Sequence, residues 1–107
     1  MNTYDSLVLA TDQFDALGDA TRREVMAILL QHPRSVGEIA AQLPVSRPAV
    51  SQHLRVLENS GLVTQRAEGT RRIYSTSSSG LAELRQAIEQ MWNETLARFA
   101  AATEQED

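Results

Sequence analysis

The residues Ser46-Arg47-Pro48-Ala49-Val50-Ser51-Gln52-His53-Leu54-Arg55-Val56-Leu57 place two kinds of side chain in one short run. At 100° per position, Val50, Leu54 and Leu57 fall within about 60° of one another. Pro48, Ser51, Gln52, Arg55 and Asn59 project to the other side. That outward set is short, polar and rich in donors. A glutamine makes a bidentate contact to adenine and an arginine does so to guanine. Ser46, Arg47 and the free amides of a helix start are suited to phosphate. A merely solvated helix more often shows long Glu/Lys pairs at i,i+4, and this run has none. A second group, Arg66, Arg71 and Arg72, is expected to converge near a turn at Gly69. Such a tip suits a phosphate ridge or a minor groove, although charge also protects an edge hairpin from aggregation. Its position directly after the polar helix favours the first role. His53 lies about 60° from the centre of the apolar face, which points to packing. His32, before Pro33, marks a helix end. These two histidines form neither a nucleophile–base constellation nor a metal cage.

Rigid elements must carry these groups. Ser35-Val36-Gly37-Glu38 reads as a capping box, opening a short helix with Val36, Ile39, Ala40 and Leu43 inward. Leu43-Pro44-Val45-Ser46 is a tight connection. Ser46 caps the next helix, and Pro48 sits in its first turn, where a missing N–H costs little. That helix runs to about Ser60, where Gly61 stops it. Two helices joined by a turn of about three residues make a helix-turn-helix over 35–60.

Upstream, Tyr4, Leu7, Val8, Phe14 and Leu17 predict a helix over 4–17. Gly18 ends it, and Asp19 caps a second helix with Val25, Met26, Leu29 and Leu30 inward, stopped by Pro33. Downstream, Leu62 to Ala67 and Arg71 to Thr76 flank Glu68-Gly69-Thr70 and read as a hairpin over 62–76. Ser77-Ser78-Ser79-Gly80 reads as a polar connection. A last helix over 81–102 carries Leu81, Leu84, Ile88, Met91, Trp92, Leu96 and Phe99. The acidic tail 103–107 is expected to fray. The fold class is mainly α with a small two-stranded β-hairpin, in one domain of 107 residues.

With 42% apolar residues the chain reads as globular. It has no cysteine, which excludes disulfides, thiolate metal sites and cysteine nucleophiles. No apolar run approaches the roughly 20 residues that cross a bilayer, and Met1 to Asp5 lack signal-peptide character. A cytoplasmic location without a membrane partner is expected. The net charge of −4 looks unsuited to nucleic acid. Its distribution removes the objection: from Arg34 to Tyr74 six arginines face three acids, a net +3, and the remainder carries four arginines and eleven acids, a net −7. A local field decides such binding, because charges beyond about 10 Å are largely screened.

The run Ala16-Leu17-Gly18-Asp19-Ala20-Thr21-Arg22-Arg23, the segment Ser46 to Leu57, Gly61-Leu62-Val63 and Gly69-Thr70-Arg71-Arg72-Ile73-Tyr74 resemble the ArsR-type winged-helix regulators. The resemblance spans roughly residues 14 to 100, and the Pro-Ala-Val-Ser-Gln-His-Leu version is most similar to the non-metal subgroup. It implies helix–helix–helix–helix–strand–strand–helix order, a homodimer through the terminal helices, and repression at palindromic operators in double-stranded DNA. It places Ser46, Arg47, Ser51, Gln52 and Arg55 at DNA-contacting positions and Arg71 and Arg72 in the wing. The family's metal sensors hold cysteine ligands where this chain has Val36 to Leu43, and Asp and His ligands where it has Leu81 to Ala102. The first stretch has neither cysteine nor histidine and the second has no histidine, so no metal and no cofactor is expected. The apolar surplus of the terminal helix, with the first helix, suggests a two-fold interface of Leu7, Phe14, Leu84, Ile88, Met91, Trp92, Leu96 and Phe99. The alternative is a winged-helix protein-interaction module without specific DNA binding.

Overall fold

Helix caps set most of the boundaries. The computed structural model describes residues 2–105. Its elements are α1 (Thr3–Leu9), α2 (Thr11–Ala16), α3 (Ala20–Gln31), α4 (Val36–Ala40), α5 (Arg47–Asn59), β1 (Val63–Glu68), β2 (Arg71–Thr76) and α6 (Ser78–Gln105). Asn2, Asp19, Ser35 and Ser46 each accept a backbone N–H of the first turn that follows. The capping box of α4 is complete: the Glu38 amide donates to Ser35 Oγ at 3.3 Å, and the Ser35 amide to Glu38 Oε1 at 3.0 Å. Beyond α5, Gly61 takes φ +82. The Gly61 amide then donates to Glu58 O at 3.0 Å and the Leu62 amide to Leu57 O at 3.0 Å, the paired bonds that close a helix end.

The amino-terminal helix expected over 4–17 is two helices that meet at Ala10. Thr11 Oγ1 donates to the Leu7 carbonyl at 3.2 Å, a side-chain bond that competes with the helical ladder. Arg22 Nε and Arg23 Nη1 then cover the Ala16 and Leu17 carbonyls at 2.7 and 2.8 Å, satisfying the end of α2.

The stretch 77–80 is no linker. Ser77 Oγ accepts the Gly80 amide at 3.2 Å and so caps α6. A Cβ at Gly80 would collide with the Gly61 carbonyl oxygen, so α6 begins flat against the exit from α5. At its other end α6 is helical through Gln105, beyond the end expected at 102; residues 106 and 107 lie outside the described residues. Among the described residues there are therefore six helices.

The core gathers Val25, Met26, Ile28 and Leu29 of α3, Ile39 of α4, Val50, Leu54 and Leu57 of α5, Leu62, Val63 and Leu84. Leu30, expected inward, is 61% exposed, and Ile28 takes its place. Ile28 falls beside Val25 and Leu29 on the helix, whereas Leu30 lies about 140° from Val25. A buried polar residue joins α2 to the start of α6: Gln13 Nε2 reaches the Gly80 carbonyl and Glu83 Oε2, both at 3.4 Å.

The hairpin pairs Val63 with Thr76 through Glu68 with Arg71, which leaves Gly69-Thr70 as a two-residue turn. Gly69 has φ +63 and sits first in the turn, where such hairpins need a positive φ. Arg34 extends the sheet: its amide donates to Tyr74 O at 3.0 Å and accepts at its carbonyl from Tyr74 at 2.8 Å. This bond ties the α3–α4 connection to the hairpin.

Candidate nucleic-acid interface

Helix α5 is held by its inner face. Val50, Leu54 and Leu57 are completely buried, which fixes both depth and rotation of the helix. The opposite face is then presented to solvent: Ser46, Arg47, Pro48, Ser51, Gln52 and Arg55 are all exposed. Pro48 lies in the first turn and Ser46 Oγ caps Ala49 at 3.3 Å. The start of α5 is thereby rigid without spending its outward donors. His53 is half-buried at the flank, with its Nδ1 enclosed and unpartnered among the described residues.

The wing stands beside this face. Arg66, Arg71 and Arg72 are exposed, but they do not converge. The register puts Arg66, Glu68, Arg71 and Ile73 on one face of the ribbon and Gln65, Ala67, Arg72 and Tyr74 on the other. Arg66 pairs with Glu68 at 3.3 Å on its own strand. Arg71 turns back onto α4, with Nη2 at 2.7 Å from Glu38 Oε1 and 3.0 Å from Ser35 Oγ. On the other face, Gln65 Nε2 donates to Glu58 Oε2 of α5 at 2.7 Å. Both faces of the wing are thus strapped to the helix pair.

Three contributors escaped the sequence reading. Glu38 was legible as a cap, but its partnership with Arg71 spans 33 residues and has no local mark. Gln65 and Arg34 position the wing through contacts that exist only once the hairpin folds back. The Arg47 guanidinium lies over Gly37, where a Cβ would stand 2.9 Å from Nη2, so Gly37 gives that side chain room above α4. The Glu38 carboxyl is held below its ordinary range, first by the Ser35 amide, then by the Ser35 side chain and Arg71. Asp19 is likewise lowered, mainly by the Arg22 amide.

Away from this surface, apolar side chains line α6. Ile88 is 49% exposed, Met91 43%, Trp92 63%, Leu96 49% and Phe99 75%. Leu7 is half-buried and Phe14 is 38% exposed. Leu84 differs from its expected neighbours: it is 8% exposed and packs in the core, leaving almost nothing for a partner. Its turn of α6 faces the body of the protein, and the stripe opens only beyond it. Among the described residues no three His, Cys, Asp or Glu side chains gather as a metal would require. No helix there is long and apolar enough to cross a membrane.

Residues 19–65 match the model of the bacterial regulatory proteins of the arsR family. An HTH-type transcriptional regulator of Mycobacterium tuberculosis is 45% identical over 106 residues, covering 99% of this chain and 96% of that protein. The chain belongs to the ArsR family. An ArsR-like transcriptional regulator from Rhodococcus sp. RHA1 superposes with a TM-score of 0.85 at 30% identity, covering 94% of this chain and 93% of that one. A structure described as a possible transcriptional regulator for arsenical resistance gives 0.70 at 41% identity, covering 85% and 95%. This ArsR-family protein is a DNA-binding transcriptional regulator, and its relatives are regulators rather than enzymes. The winged architecture expected from sequence is the one found, with the hairpin between α5 and the terminal helix.

Proposed function

We propose that the protein is a homodimeric repressor that reads a palindromic operator. In this reading α5 enters the major groove, with Gln52 and Arg55 at base edges and Ser46, Arg47, Pro48 and Ser51 along the near backbone. Arg66, Arg71 and Arg72 of the wing meet the flanking phosphates or minor groove. The observation that carries it is the division of α5: three fully buried apolar residues behind, and an exposed polar face in front. The apolar stripe of α6, with the exposed Tyr4 and Val8 of α1, supports a two-fold partner and hence two half-sites. A dimer seated over a promoter represses by occlusion alone, and the cytoplasm is where it would meet its operator.

The test is selection of genomic fragments by the purified protein, followed by binding across a salt series. A symmetric motif with half-sites about one helical turn apart is the expected result. Equal affinity for all duplexes at every salt concentration would refute specific reading and favour an interaction module.

A further inference from the structure

Between α4 and the wing lies an open cleft of about 480 Å³, lined by Ser35, Gly37, Glu38, Arg47, Arg71 and Arg72 among others. Arg47, Arg71 and Arg72 each contribute to its lining, and Glu38 supplies its one carboxylate. In the free protein the carboxylate has claimed one of them, since Glu38 Oε1 stands 2.7 Å from Arg71 Nη2. The same oxygen also accepts the Ser35 amide at 3.0 Å, so Glu38 is fixed by its own helix and Arg71 comes to it. Both side chains are about half exposed, 57% for Arg71 and 46% for Glu38. An exposed pair of this kind holds weakly against a competing anion. Nor does the wing need it as a strut, because the Arg34–Tyr74 bridge and the Gln65–Glu58 bond already anchor the hairpin.

We propose that Glu38 is a gate on Arg71, and that the cleft between α4 and the wing receives a backbone phosphate of the bound duplex. A phosphodiester presents two non-bridging oxygens to a guanidinium fork, a better match than a carboxylate oxygen already shared with an amide. Arg71 swings from Glu38 to the phosphate, and Arg47, over Gly37, supplies the second cation. Until a phosphate is seated there, Arg71 contributes nothing to affinity. Glu38 therefore acts on specificity: it silences one wing charge on duplexes that dock out of register. The proposal rests on the DNA-binding reading above and adds a residue on which that reading does not depend.

Random-sequence duplex tests the gate without knowledge of the operator. Binding is measured by fluorescence anisotropy over a salt series for wild type, Glu38→Gln, Arg71→Ala and the double variant. Glutamine keeps an acceptor for the Ser35 amide, so the capping box and α4 survive the change. Glu38→Gln should tighten random-duplex binding several-fold and steepen the salt dependence by about 0.9 log units per log unit of salt, the value of one added phosphate contact. The gain should vanish in the double variant, whose slope should match that of Arg71→Ala alone. An equal gain with and without Arg71 would overturn the gate and leave only a removed negative charge. An unchanged slope in Glu38→Gln would overturn it too. Wild type that binds no duplex at any salt would fail the DNA reading itself, a separate result from a bound duplex with an unaltered slope.

Discussion

Trp92→Ala should dissociate the proposed dimer while leaving the protomer folded. The indole is 63% exposed on α6 and belongs to no part of the buried core. A tryptophan presents up to about 250 Å² of surface, so roughly 150 Å² is open to a partner. If that partner covers half of it, each ring contributes about 2 kcal/mol at about 25 cal/mol per Å². Two-fold symmetry doubles the effect to about 4 kcal/mol, close to a thousand-fold in the dimer dissociation constant. Sedimentation equilibrium from about 0.1 to about 100 µM spans the range in which that change is visible. Thermal melting of the variant, with circular dichroism of its helices, shows whether the protomer is intact. Operator affinity should fall in parallel, because two half-sites are no longer engaged by one linked pair. A variant whose dissociation constant stays within about threefold of wild type, well under 1 kcal/mol, would refute the assignment of this stripe to the dimer.

Gly80→Ala forces a methyl group against the Gly61 carbonyl and should cost roughly 1–3 kcal/mol, read as a drop in Tm of roughly 5–15 °C. An unshifted melting curve would mean that α6 does not start where it is described. Leu54→Ala opens a cavity under α5 at a completely buried position and should lose about 2–5 kcal/mol in urea unfolding. Gln52→Ala and Arg55→Ala should leave Tm unchanged and each remove roughly 1–3 kcal/mol of discrimination between operator and random duplex; a uniform loss on both duplexes would make them phosphate contacts instead. Asp19 and Glu38 are both lowered in the fold, so their contribution is complete above about pH 5, where unfolded carboxylates are ionised as well. It is lost as pH falls through the folded pKa values. Urea midpoints should therefore decline on the acid side, less steeply in Asp19→Asn, and a parallel decline in that variant would remove Asp19 from the account.

Local chemistry was the legible part of this chain. Ser35, Ser46 and Asp19 announce their helices by residue type, and Gly61 and Gly69 announce a stop and a turn, because caps and positive φ depend on few neighbours. The two faces of α5 could be drawn from spacing alone. What escaped depends on parts of the chain that are distant in sequence. Ser77 to Gly80 looks like a loop by composition, yet it is a cap and a first turn whose glycine is demanded by the Gly61 carbonyl. Leu84 follows the spacing of Ile88 and Trp92 but sits where α6 still touches the body. Arg71 and Arg72 are adjacent and alike in sequence, and the pleat sends them to opposite faces. Gln13 has no pattern that marks it as buried, since only the arrival of Gly80 and Glu83 closes over it.

The joint where α5 hands over to α6 has a mechanical consequence. Leu62 closes the end of α5 and also accepts the Ser77 amide at 2.9 Å, while Gly80 rests on the neighbouring carbonyl. In the proposed dimer α6 is clamped to its twin, so this contact becomes a fulcrum and α5 the arm that swings from it. An arm of 13 residues is about 20 Å long. A rotation of about 10° at the fulcrum moves its Ser46 end by about 3.4 Å, one base-pair step. How strictly the protein measures the distance between half-sites is then set by the stiffness of a few backbone contacts near Gly61, and not by the side chains that touch the bases.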